Sequence, residues 1–392
     1  MAEPLSLYVH IPFCTAKCGY CDFNSYAGHE HMVPAYAQVL VHEALLWRGP
    51  AAGRPVATVF FGGGTPSLVP LDGLEIIMRG LGEAFAVAPD AEVTLEANPG
   101  SLDEAYLRGL LALGFNRLSV GVQSFHDDEL RALDRLHTAD DARAAFRAAR
   151  AAGFANVNLD LIFGLPEQPM ERWQQSVEGA LTLEPEHLSL YALTVEEGTP
   201  LARDVARGRT PAPDPDAQAD QYEWTQGRLA QAGYDQYEIS NWARPGYRCR
   251  HNLTYWECRE YLGLGAGAHS YFGGVRFAGA AAPGQFMSLV EESWREAEKD
   301  GGRTTMRHVV SGETITPELA MADVLILGLR LVEGVSLAGF RARFGVDATS
   351  AFGDRLADPT RDGLVEIADG SLRLTERGRL LGNDVFAALL PA

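Results

Sequence analysis

Lysine is nearly absent from this sequence: Lys17 and Lys299 are the only two among 33 basic residues. Acidic residues number 52, and the formal net charge of −19 repels a phosphate backbone, which argues against nucleic acid as a partner. Long apolar runs are missing too. No stretch reaches the roughly 18 consecutive apolar residues of a membrane span. The opening MAEPLSLYVHIPF has neither a basic n-region nor an uninterrupted apolar h-region. The chain therefore reads as cytoplasmic. Cysteine is scarce, with five in 392 residues, an odd number that disulfides cannot use up. Three of them crowd into HIPFCTAKCGYCDFNSY, at Cys14, Cys18 and Cys21. Without a secretion signal, metal or redox chemistry is the better reading of that loop.

A hydrophobic content of 46% is ordinary for a folded core, and 392 residues accommodate a large α/β domain beside a smaller one. β-rich runs alternate with helical patterns six times before residue 240. The runs are Leu5 to Ile11, Val56 to Phe61, Val93 to Glu96, Arg117 to Val122, Val157 to Phe163 and His187 to Leu193. The first intervening helix carries Val33, Tyr36, Ala37, Leu40, Val41, Ala44 and Leu45 on one face. Strand followed by helix, repeated, predicts a parallel sheet with right-handed crossovers, a partial (β/α)6-type barrel. Unusual residues fall at the strand ends: the cysteines, then FFGGGTPS, EANPG, GVQSF, DLIFGLP and YALT. In such a barrel these ends share one face, and ligands bind there.

The barrel is expected over residues 1–270, a connecting segment over 271–315, and a C-terminal domain over 316–392. FGGVRFAGAAAPG, from Phe272 to Gly284, reads as the start of the connection. TPEL, with Thr316 as N-cap and Pro317 in the first turn, opens a helix to about Leu331. A second helix near Ser336 to Phe344, a hairpin around Asp369-Gly370 and a last helix from Glu376 follow. That order is a winged-helix-like α+β domain. Residues 305–392 hold 9 Arg and no Lys against 12 Asp plus Glu, a net of −3, which does not suit DNA binding. Packing over the barrel or meeting a partner is the better reading.

Three chemistries compete for CxxxCxxC. A zinc site needs a fourth ligand, and only His10 on the preceding strand stands near, with no second CxxC or HxxxH elsewhere. A dithiol pair in CGYC leaves Cys14 unexplained. A [4Fe-4S] cluster on three thiolates leaves one iron open to an exogenous ligand, and an open position is what makes a metal site reactive.

CxxxCxxC with an aromatic before its last cysteine, Tyr20, resembles the signature of the radical SAM superfamily. The GGGTP loop one strand later strengthens the likeness. The resemblance implies that S-adenosylmethionine chelates the open iron and that an electron from the cluster cleaves its sulfonium to a 5′-deoxyadenosyl radical. The strand ends resemble the coproporphyrinogen III oxidase-like branch. That likeness implies contacts to S-adenosylmethionine from Tyr8, Tyr20, Gly63, Gly64, Thr65, Glu96, Gln123, Arg135 and Asp160. From the residues alone, Gln123 or Asp160 could equally satisfy buried backbone, and Arg135 could be a solvated charge.

Two features separate members of that branch. The oxygen-independent oxidases carry a fourth cysteine two residues after the third, where this sequence has Phe23. Downstream, GYRCRHNLTYWECREYLGLGAGAHSY contains an HNxxYW element followed by YLGxGxGAH, as HemW-like haem chaperones do. The resemblance implies haem contacts at His251, Asn252, Tyr255 and Trp256. Neutral imidazole is a common axial ligand and aromatics suit a flat macrocycle. By its residue type alone, His251 is more often a hydrogen-bonded structural histidine. Cys249 and Cys258, which flank the element, could ligate iron or be inert buried thiols. The family implies haem delivery to acceptor haemoproteins of the respiratory chain, dimers, and association with the membrane. The rival is an enzyme acting on a tetrapyrrole, such as a coproporphyrinogen oxidase.

Overall fold

The computed structural model describes residues 3–301 and 305–391. Six parallel strands come first: β1 (Leu5–Ile11), β2 (Pro55–Gly63), β3 (Ala86–Ala97), β4 (Arg117–Gln123), β5 (Val157–Phe163) and β6 (His187–Ala192). They pair in chain order, each beside the next. Helices Val33–Trp47, Leu71–Ala84, Glu104–Ala112, Ala139–Ala152 and Met170–Leu181 make the crossovers. Side-chain caps fix the starts of two of them. Thr138 and Asp141 form a reciprocal capping box at the fourth of these, and Asp103 caps the third through the amide of Tyr106.

Six further strands complete the sheet: β7 (Asp235–Glu238), β8 (Asn241–Ala243), β9 (Tyr261–Leu264), β10 (His269–Phe272), β11 (Val275–Gly279) and β12 (Val309–Thr314). The order across it is β12-β11-β10-β9-β1-β2-β3-β4-β5-β6-β8-β7. β9 runs parallel to β1, while the outer strands on both sides are antiparallel. Among the described residues β7 and β12 do not pair with each other, so the barrel is open.

The segment 271–315 is therefore not a connection. Phe272 pairs with Val275 across the two-residue turn Gly273-Gly274, and β11 and β12 extend the main sheet. The glycines that suggested a linker lie in a hairpin turn, at a strand end and, for Gly284, in the first turn of a helix. Helix Pro283–Lys299 packs beside helix Val33–Trp47, joined by His42 and Glu291 at 2.7 Å.

Period-two alternation explains the barrel's two faces. Leu5, Leu7 and Val9 of β1, Leu118, Val120 and Val122 of β4, and Leu159 and Leu161 of β5 are buried in the apolar core. The alternate set, including Tyr8, Arg117, Ser119, Asn158 and Asp160, lines a polar lumen. The C-terminal unit has its own core, with Leu325, Phe340, Phe352, Leu372 and Val385, and a three-stranded sheet holding the hairpin at Asp369-Gly370.

Candidate functional site

The loop after β1 carries the three cysteines. Cys14 is buried, and Cys18 and Cys21 are half-buried. The glycine loop after β2 is fastened directly to it: the amide of Gly64 donates to Ile11 O and that of Thr65 to Phe13 O, both at 2.8 Å. A side chain at Gly64 would sit 2.7 Å from Phe13 O, and one at Gly63, whose φ is +112°, would fall 2.3 Å from the His10 ring. Only glycine permits this approach. On the other side of β1, just past the end of the neighbouring β9, Gly265, φ +106°, packs so tightly that a Cβ would lie 2.6 Å from His10 O. The YLGLGAGAH element thus braces the cysteine loop, helped by Asn24, which donates to Ala266 O at 2.9 Å and Ala281 O at 3.0 Å.

Two sulfurs face side-chain donors. Thr65 Oγ1 donates to Cys14 Sγ at 3.5 Å, and Arg135 Nη1 donates to Cys18 Sγ at 3.6 Å. Arg135 is thus drawn into the site rather than left solvated, its other arm donating to Asn98 Oδ1 and Gly121 O at 2.5 and 2.8 Å. Desolvation pushes the Cys14 and Cys21 thiols up. Cysteine sulfurs beside a guanidinium and a hydroxyl donor are chemically suited to become thiolates once a metal group compensates their charge. His10 offers no free nitrogen for zinc, since its ring is bonded to Tyr8 OH at 3.0 Å and Asn24 O at 2.9 Å. Among the described residues no three His, Cys, Asp or Glu side chains converge on a single-ion site. Three thiols, two of them facing side-chain donors, are a donor set that suits a [4Fe-4S] cluster.

The remaining strand ends are brought to the same mouth. Gln123 closes β4 at φ +66° beside a register shift, a strain of about 1–3 kcal/mol that aims its side chain off the ladder. Tyr20 packs against the apolar cluster of Leu133, Ile162, Leu165 and Leu193. Glu96 accepts from the amide of Gly63 at 3.2 Å, and its burial and the nearby Asp160 raise its pKa to about 7. Burial also raises Asp160, against bonds from Ser119 at 3.1 Å and Asn158 at 2.8 Å. Phe23, 62% exposed, stands on the loop's rim.

Below the mouth a cavity of about 210 Å³ joins Tyr8, Glu96 and Asp160 to His251, Asn252 and Tyr255. The last three belong to the Arg250–Trp256 helix, whose first amides are held by Glu92 of β3: Arg250 N and His251 N each donate at 3.0 Å. His251 is 1% exposed and stacks on Phe60 with centroids 5.0 Å apart. Both its nitrogens are engaged, Nδ1 with Thr58 Oγ1 and Nε2 with Tyr255 OH, each at 2.8 Å. Burial lowers its pKa to about 3, so the ring is neutral. Trp256 is not part of the cavity. Its ring lies under Arg330 of the C-terminal unit, 4.5 Å from the guanidinium. Cys249 is wholly buried, donates to Glu92 at 3.6 Å and has its pKa pushed up to about 12, an inert thiol. Burial does the same to Cys258.

Residues 8–179 match the model of the radical SAM superfamily, and residues 315–381 match the HemN C-terminal domain. The chain is 37% identical to the heme chaperone HemW of Bacillus subtilis over 98% of this chain and 99% of that protein. The chain belongs to the HemW family. Other relatives include the Escherichia coli heme chaperone HemW, 43% identical over 68% of this chain and 70% of that one. A mitochondrial radical S-adenosyl methionine domain-containing protein 1 of Mus musculus is 40% identical over 84% of this chain and 74% of its own length. The fold is that of the radical SAM coproporphyrinogen III oxidase HemN of Escherichia coli, with a TM-score of 0.82 at 26% identity, covering 98% and 90% of the two chains. In this HemW-family chain the glycine-rich brace holds the cysteine loop, and the HNLTYW helix borders the lumen below it.

Sequence reasoning passed over Asn98, Thr58 and Glu92. Asn98 lies in the quoted EANPG and follows Glu96 by two, so it points to the same face. Thr58 sits inside the Val56 to Phe61 run, and Glu92 lies one residue before the run read from Val93, in a strand that extends back to Ala86.

Proposed function

We propose that this chain is a haem chaperone, which holds a [4Fe-4S] cluster on Cys14, Cys18 and Cys21 and S-adenosylmethionine across the strand ends. The cluster supplies an electron to S-adenosylmethionine when both are bound. Gly63, Gly64 and Thr65 would form the shelf that receives S-adenosylmethionine at the cysteine loop. Tyr8, Tyr20, Glu96, Gln123, Arg135 and Asp160 shape the pocket. Haem is handed to acceptor haemoproteins of the respiratory chain. The protein works in the cytoplasm as a dimer and meets acceptors at the membrane surface; among the described residues no helix is long and apolar enough to cross a membrane.

The observation that carries this reading is the end-to-end likeness to a protein named heme chaperone, together with Phe23 where the oxidases have cysteine. His251, Asn252 and Tyr255 are the proposed haem contacts. The cavity beside them is smaller than the roughly 300 Å³ at which small-molecule pockets begin. The macrocycle is therefore assigned to its mouth, with His251 released from Tyr255 as haem binds. Trp256 acts indirectly, holding the helix to the C-terminal unit.

The likeness of the fold to an oxidase favours one rival, an enzyme on a tetrapyrrole. Anaerobic incubation of the reconstituted protein with coproporphyrinogen III and S-adenosylmethionine separates them. The chaperone reading expects haem binding and no turnover; loss of two carboxylates at a catalytic rate overturns it.

A further inference from the structure

The donors on two cysteine sulfurs trace back to one guanidinium. Arg135 reaches Cys18 Sγ directly through Nη1 at 3.6 Å. Its Nη2 donates to Asn98 Oδ1 at 2.5 Å, Asn98 Nδ2 donates to Thr65 Oγ1 at 3.1 Å, and Thr65 Oγ1 donates to Cys14 Sγ at 3.5 Å. Every bond in the arch runs from arginine to sulfur. Turning the Asn98 amide over would set donor against donor at Arg135, so the network fixes its orientation.

Asn98 is the keystone by chemistry. A hydroxyl that receives one hydrogen bond becomes a better donor for its own, and aligned bonds strengthen one another. The backbone of Asn98 is held without its side chain: its amide donates to Ser67 Oγ at 3.3 Å, and its carbonyl accepts from Ser101 N at 3.0 Å and Ser101 Oγ at 2.7 Å. Removing the amide therefore breaks the arch while leaving the strand end in place.

We propose that Asn98 is a positioning residue for the [4Fe-4S] cluster, aiming the Thr65 hydroxyl at the Cys14 sulfur and coupling it to Arg135, so that the arch sets the reduction potential. The inference rests on the reading that the three cysteines hold a cluster. Hydrogen bonds to cluster sulfurs favour the reduced form, which carries one more negative charge, and so raise the potential.

The test is an anaerobic redox titration of the reconstituted full chain, without S-adenosylmethionine, followed by the EPR signal of the reduced cluster, with iron counted in parallel. Asn98→Ala and Thr65→Val should keep their iron and titrate at a lower potential than the parent. Thr65→Ser should match the parent, and the Asn98→Ala, Thr65→Val double variant should fall no lower than the Thr65→Val single. Midpoints of Asn98→Ala equal to the parent's overturn the proposal, as does a drop in Thr65→Val alone. If Asn98→Ala fails to fold, Asn98→Asp keeps the acceptor for Arg135 while removing the donor to Thr65, and an unshifted midpoint there overturns it equally. A parent that takes up no iron overturns the cluster reading instead, a separate result.

Discussion

The cysteine loop and the HNLTYW helix border the same lumen and handle their polar atoms in opposite ways. Around the cysteines, donors from Thr65 and Arg135 end on sulfurs, which are poor acceptors as thiols and strong ones as thiolates. Around His251 each ring nitrogen already has a partner at 2.8 Å and the ring is stacked. On the proposed function a metal group completes the first region, whereas the second, already satisfied internally, has to open before it can take a ligand.

Breaking the first region has the largest effect. The Cys14, Cys18 and Cys21 triple alanine variant should fall from about four irons per chain after anaerobic reconstitution to none, read by iron analysis and the loss of brown colour. Gly63→Ala comes next. Its Cβ would meet the His10 ring at 2.3 Å in a left-handed conformation, costing about 2–4 kcal/mol in denaturant unfolding. Gly82→Ala, in helix Leu71–Ala84 with nothing within 4 Å, should be neutral or stabilising by up to about 1 kcal/mol.

The two regions also differ in their response to pH. Glu96 at the mouth has a folded pKa of about 7, above its ordinary 4.5. The native state then holds the extra proton in that window, and its stability falls as pH rises from about 4.5 to 7. Glu96→Gln should remove that slope, worth on the order of 3 kcal/mol, in unfolding measured across the range. His251 works the other way. With a folded pKa of about 3 against an ordinary 6.5, its contribution is full above pH 6.5 and is lost as pH falls toward 3. The smallest effect belongs to Phe23→Ser on the exposed rim, within about 0.5 kcal/mol of the parent.

The parallel barrel strands and crossover helices were legible because strand runs and turn residues alternate locally. The antiparallel outer strands were not, since β7 and β8 are only four and three residues long and β11 hides behind Gly273-Gly274. The cysteine loop was legible because its three cysteines lie within eight residues. Its wiring was not: Asn98 and Thr65 meet across 33 residues, and Arg135 and Cys18 across 117. His251 was identified by its motif, but whether its nitrogens are free depends on Thr58, 193 residues away. Contacts set by the sheet's register leave no periodic trace in sequence.

Haem titration of the parent, His251→Ala and Tyr255→Phe, followed in the Soret band, decides whether the second region opens. Haem ligation by His251 predicts at least a tenfold loss of affinity in His251→Ala. It also predicts binding in Tyr255→Phe that is up to about fivefold tighter, because one hydrogen bond of roughly 1 kcal/mol no longer competes for Nε2. An unchanged Soret band and affinity in His251→Ala would contradict it.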